Sequence, residues 1–579
     1  MTGFFSAWWG SAVTVFVCVI TWAMAGTEGL AAPDATKSIP DPATQPQLAK
    51  IEELLRRSWS DYGLSPASRA TDGEWCRRVY LDLLGRVPTV DELQAFTTLR
   101  ERDKDAQLVE RLLTDSLYTE EYARNFTTLW TNILIGRNGG NEDRSLTNRA
   151  GLQKYLRDSF ARNKPYDQLA RELITATGAS QPGRDGFNGA VNFLAMKLAD
   201  DAMLATADTA RIFLGLQVQC TQCHNHPFNE WKQNQYWELN AFFRQTRSLR
   251  RFEAGTNEVA YIELADQDFG GEGTTPQDAE IYYELRNGQV KAAYPVFVDG
   301  TKISTSGYLA DVRRRGELGR LVTDSEYLSR AIVNRMWGQF LGYGFTKPVD
   351  DMGPHNAPSH PELLDYLASE FRAANYDLKT LIRWITLNPA YRLSSRTTKS
   401  NASDDPLMGE PPKFSHFYLR QLRAEELYES LLVATQADQN KGSYEEREMA
   451  KNEWLRQFTI AFGTDEGDET TTFNGSIPQV LMMFNGELVK EATRVDADSF
   501  LSRVAANPMS PAKKIEFLYL AALARKPTRP EIDVANKLWE ARAIDARRDH
   551  GSGSIPPGAA ALQDVWWVLL NSNEFILNH

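Results

Sequence analysis

Apolar residues recur three and four positions apart along most of this chain. Ala106–Leu113, Gly151–Phe160 and Tyr166–Thr175 each carry such a stripe, the mark of a helix with one face turned to a core. In "PTVDELQAF" Thr89 precedes the stripe and Glu92 follows three residues later, a capping-box start. The same period returns beyond residue 320 in "EYLSRAIVNRMWGQFLG", "PELLDYLASEFRAA", "DLKTLIRWITLNPAY" and "AEELYESLLVAT". Between about 246 and 305 it drops to two, in "EVAYIELAD" and in "AEIYYELRNGQVKAAYPVFVDGTKI". These read as strands, with a hairpin turning at Asn287-Gly288. "GRNGGNEDRS" (136–145) reads as an exposed loop. The expected fold is mainly α: two helical bodies, 48–245 and 311–579, with a small β module at 246–310 inserted between them.

One pattern occurs twice. "YLDLLGRVPTVDE" (80–92) and "YLAALARKPTRPE" (519–531) share Y-L-x-x-L-x-R-x-P-T-x-x-E. Each reads as a helix, a turn through proline and a second, capped helix. Two copies do not make a solenoid.

Composition narrows the function classes. The chain has 579 residues, is 42% hydrophobic and carries a net charge of −12, which disfavours nucleic acid or an anionic membrane as main partner. Residues 1–25 hold no charged side chain and end in Ala23-Met24-Ala25. They read as a signal peptide or an N-terminal anchor, followed by a polar linker over 26–47. The expected location is periplasmic, cell-surface or extracellular, with membrane contact only through that segment if it is uncleaved. Cys18 lies within it, which leaves Cys76, Cys220 and Cys223. An odd number of thiols in an oxidising compartment argues against a disulfide framework. Cys76, inside a helical apolar pattern, reads as a small core residue.

Cys220 and Cys223 belong to "CTQCH", with His224 next and His226-Pro227 just after. C-x-x-C-H is the attachment pattern of c-type haem: two thiols for the vinyl groups, and the histidine as proximal iron ligand. The preceding "DTARIFLGLQVQ" predicts a helix that, continued, would set Cys220, Cys223 and His224 on one face. Pro227 would end it at His226. Zinc held by Cys220, Cys223 and a histidine is a second reading, and a disulfide clip with no cofactor is a third. Phe228, Trp231, Tyr236, Trp237, Phe242 and Phe243 follow closely and suit either a haem pocket or ordinary core packing. Met196, Met203, Met352, His355, His360 and His416 are the candidates for a sixth iron ligand.

"RVYLDLLGRVPT", "QVQCTQCHNHPFNEW", "NRMWGQFLGYGFTKPVDDMGPHNAPSHPELLDYLASEF", "YDLKTLIRWITLNPAYRLSS" and "WWVLLNSNEFILNH" together carry a resemblance. They resemble the planctomycete cytochrome-c-like domain of unknown function followed by its usual partner, a planctomycete-specific C-terminal domain of unknown function. The resemblance spans about 50 to 579. It implies an exported protein whose Cys220, Cys223 and His224 match the family's haem-type motif, and it implies no established activity. Some relatives have a further N-terminal C-x-x-C-H domain; this chain has none, so the resemblance allows one haem at most.

A second stretch, "KPVDDMGPHNAPSHPELLD", is rich in polar chemistry. Ser359 and Glu362 read as a capping box for the helix near Pro361. Asp350 and Asp351 suit a polar loop, a hard-cation site or an acid/base pair, although adjacent residues usually point apart. Asn334, Arg335 and Trp337 suit internal packing, and the acidic "TDEGDET" (464–470) suits solvated surface. Three functions follow as expectations. The first is a mono-haem c-type cytochrome-like protein for electron transfer or redox sensing, with an unidentified redox partner. The second is a cell-surface binding or structural protein whose motif holds zinc or a disulfide. The third is a polysaccharide-active enzyme using Asp350 and Asp351.

Overall fold

Helices start where a side chain can meet their first free amides. Thr71 with Glu74, and Thr89 with Glu92, close reciprocal capping boxes on helices Asp72–Leu84 and Val90–Thr97, satisfying amides that the helix itself leaves unpaired. Helices Lys104–Thr114, Arg149–Ala161, Tyr166–Thr175, Glu326–Leu341, Leu378–Leu387 and Ala424–Ala434 lie where the apolar period predicts them. This computed structural model describes residues 45–141, 145–270, 277, 279–436, 443–462, 487–496, 499–548 and 557–579. Residues 1–25, read above as a signal peptide or anchor, and the acidic stretch 464–470 lie outside the described residues.

The architecture is mainly α, with small sheets. Strands Thr246–Phe252 and Val259–Asp266 pair antiparallel, and Gly178–Ala179 adds a third strand from the helical region before them. The hairpin Ile281–Glu284/Val290–Ala293 turns at Asn287-Gly288, where Gly288 takes φ +79° and Asn287 Oδ1 accepts from the Gln289 amide at 3.0 Å.

Two large apolar cores organise the helices. One runs from Leu48 to Tyr418 and includes Cys76, which is fully buried. The other gathers residues from Leu422 to Ile576 with Leu81, Val87 and Val90. Helix Asp72–Leu84 therefore faces both cores. Its Arg77 donates to the Phe575 and Leu577 carbonyls, at 2.7 and 2.9 Å. Its Arg78 donates to those of Tyr391, Leu393 and His579.

The repeated pattern forms two helical hairpins, Asp72–Leu84 with Val90–Thr97 and Pro511–Leu523 with Arg529–Arg548. Arg86 grips Glu92 through both terminal nitrogens, at 2.9 and 3.0 Å, and reaches Glu121. Arg525 grips Glu531 at 2.9 and 2.8 Å and reaches Glu574.

One expected cap is replaced. Helix Pro361–Ala373 starts after His360 without a side-chain cap. Ser359 Oγ bonds the His360 ring at 3.0 Å and Glu362 pairs with Arg57. The adjacent ring takes the serine, and a tertiary partner takes the glutamate.

Candidate functional site

The segment that leads into the C-x-x-C-H motif is bent by its packing. Helix Ala199–Thr209 passes into a π-turn, Ala210–Leu214, and stops at Gly215, whose φ is +67°. The Gly215 carbonyl accepts from the Met352 amide at 2.7 Å, and a Cβ on Gly215 would lie 2.5 Å from the Met352 methyl. A backbone this close to its neighbour and left-handed needs glycine. The helix expected to run through the motif is thus absent: a single 3₁₀ turn, Gln219–Gln222, carries Cys220, and Cys223 follows at its end.

That turn is tightly held. Thr221 is buried and donates to the Val218 carbonyl, and the Gln222 carbonyl accepts from Gln233 Nε2 and Trp237 Nε1, each at 3.1 Å. Cys220 and Cys223 are exposed and unbridged. His224 Nδ1 lies 2.6 Å from the Asn225 carbonyl. A carbonyl only accepts, so Nδ1 carries a proton and, in the neutral ring, Nε2 keeps its lone pair. His226 has the opposite tautomer. Its Nδ1 accepts from the Phe228 and Asn229 amides at 3.2 and 3.1 Å, so in the neutral ring the proton sits on Nε2. Burial, and then the neighbouring His355, lower the pKa of His226. Of the two histidines, His224 alone presents a nitrogen ready for a metal.

The facing wall comes from residues 350–358. Asp350 and Asp351 point to different partners, as neighbours usually do. Asp350 is buried and takes Arg211 at 3.2 Å, Gln217 at 2.9 Å and Arg335 at 3.7 Å. Although burial opposes ionisation, Arg335, Gln217 and Arg211 together hold its carboxyl below the usual range. Asp350 therefore anchors the wall to the segment before the motif. Asp351 instead meets His355 Nε2 with both oxygens at 3.1 Å, and the His355 ring lies 6.4 Å from that of His226. A cavity of about 530 Å³ opens beside the His355 ring, between residues 216–235 and 326–358.

The remaining candidates disperse. Met352 is buried beneath Gly215. His360 is buried and bonded to Ser58, and burial pulls its pKa down to about 4. His416 is buried beside Asp404. Met196 accepts from the Leu146 amide. Met203 is half-buried, its carbonyl taking the Tyr236 hydroxyl at 2.9 Å. Trp337 is buried, and Asn334 ties Thr346, Val349 and Phe345 together. Trp231 and Trp237 pack on the main core, which Tyr236, Phe242 and Phe243 join. Among the described residues, no group of three or more His, Cys, Asp or Glu is arranged to hold a metal ion.

Two accessible thiols and the outer nitrogen of one imidazole are the donors that a covalently attached haem would use. Sequence reasoning missed the part played by Gly215, whose position before a polar turn was its only local signal, and the approach of His355 to His226, which left none.

No curated protein and no solved structure matches the chain. Residues 50–248 match the family model PSCyt2, described as a protein of unknown function (DUF1549). Residues 314–539 match PSD1, also described as a protein of unknown function (DUF1553). The two matches lie in tandem, with the cysteine motif within the first and the wall that faces it within the second.

Proposed function

We propose that this is an exported protein carrying one covalent haem c, attached at Cys220 and Cys223 with His224 as axial ligand, and serving electron transfer or redox sensing. The observation that carries this reading is the His224 Nδ1 contact to the Asn225 carbonyl beside two open thiols. A histidine that donates its inner N–H to a carbonyl has its tautomer and ring direction fixed for metal ligation. Each thiol would add across one vinyl group, its sulfur bonding the inner carbon and its hydrogen ending on the outer one, a redox-neutral addition. When bound, the haem supplies a one-electron couple. Phe228, whose amide bonds the His226 ring just past the motif, has 85% of its surface exposed, and a large apolar group laid there would cover it.

The test is production in a host with c-type haem maturation, followed by an absorption spectrum and an intact mass. Cys220→Ala/Cys223→Ala serves as the control. A haem-sized mass increment with reducible α and β bands, both lost in the variant, is the expected result. An unmodified mass with no visible band, or stoichiometric zinc, would overturn it.

A further inference from the structure

We propose that the cavity between residues 216–235 and 326–358 binds a neutral saccharide of one or two rings. This goes beyond the haem reading and does not rest on it. At about 530 Å³ the space lies within the usual range for small-molecule sites, roughly 300–1,000 Å³. Its walls come from the two regions that match different families, so neither region alone completes it.

The polar groups on those walls select the ligand class. Glu230 and Glu326 line the cavity, and neither forms an ion pair or side-chain hydrogen bond among the described residues, which leaves two carboxylates as acceptors. Gln235 uses its oxygen on the Lys232 amide at 2.8 Å, so the NH₂ is the group it can offer. Arg330 pairs with Asp365 through one terminal nitrogen and keeps its other N–H groups. The Tyr327 hydroxyl can donate or accept. An anion needs donors alone and a cation needs acceptors alone. Either would face some of these groups with the wrong sign. Hydroxyls donate and accept at once, and so match a mixed lining.

The apolar share points the same way. The half-buried Trp231 indole adds a flat apolar face, which suits the C–H face of a sugar ring. The wall at 350–358 is preset: Asp350 is anchored to Arg211, and Asn356 Nδ2 donates to the Lys347 and Asp351 carbonyls at 3.1 and 2.7 Å. A preset wall lowers the ordering cost of binding.

The full chain should be titrated calorimetrically with glucose, galactose, xylose, N-acetylglucosamine, cellobiose, maltose and lactose. Choline and citrate serve as the cation and the anion. At least one neutral sugar should bind one-to-one with a sub-millimolar Kd, and Trp231→Ala and Glu326→Gln should each weaken it about tenfold or more. Tyr327→Phe, a milder change, should weaken it less and keep the wild-type melting curve. The proposal falls if no sugar saturates below ~10 mM, a limit that equates to only ~3 kcal/mol of binding. It also falls if choline or citrate binds in their place, or if the folded variants bind as the wild type does.

Discussion

The hairpin at 72–97 and its echo at 511–548 share one arginine–glutamate–threonine network in different surroundings. In both, an arginine after the first helix takes the capping glutamate of the second with two nitrogens. That glutamate also accepts from the amide of the threonine before the second helix, at 2.8 Å for Thr89 and 2.6 Å for Thr528. In both, the arginine donates to the next carbonyl, at 3.1 Å each, and binds a glutamate from a later helix. Arg86, however, is 5% exposed and Arg525 30%. At the left-handed residue ending the first helix, one copy has Gly85 (φ +74°) and the other Ala524 (φ +54°). A bond network can thus be kept while its energetic weight changes, because burial rather than geometry sets what a charged contact is worth.

Three experiments would break or sharpen this contrast. Arg86→Met should cost about 3–5 kcal/mol in chemical denaturation, because Glu92 and Glu121 would be left partly buried without their cation. An acid titration comes next. Burial, then Arg77, pulls the His579 pKa down to about 3, despite Glu574 at 3.9 Å. Its unfolded value is ~6.5. Between those values the unfolded chain binds a proton that the folded one refuses. Stability is therefore full above ~6.5 and falls as pH drops, by up to ~1.4 kcal/mol per unit for this group. His360, held at about 4, adds a similar slope. His579→Gln should accordingly make the loss between pH 6 and 4 shallower, and an unchanged slope would place the titration elsewhere. Arg525→Met should cost ~1 kcal/mol or less, since water screens a partly exposed pair. Equal losses at Arg86 and Arg525 would overturn the comparison.

Much of this was legible in the chain. Thr89 with Glu92 announces a helix start, and the repeated motif announces two hairpins, because both rest on contacts within a few residues. The C-x-x-C-H turn was misread for the opposite reason. "DTARIFLGLQVQ" has helical spacing, but the chain stops at left-handed Gly215 and packs its carbonyl on Met352, far along the sequence. The capping box at Ser359 failed similarly, with Glu362 drawn to Arg57. The cavity was illegible because its walls, 216–235 and 326–358, meet only in the folded protein.

Arg77 and Arg78 have a consequence for synthesis. Their guanidinium groups, fully buried in the folded protein, take carbonyls on Phe575, Leu577 and His579, some 500 residues downstream. Until the ribosome has delivered that segment, helix Asp72–Leu84 can bury neither cation with its partners in place. A nascent chain therefore has an electrostatic reason to stay open on this face.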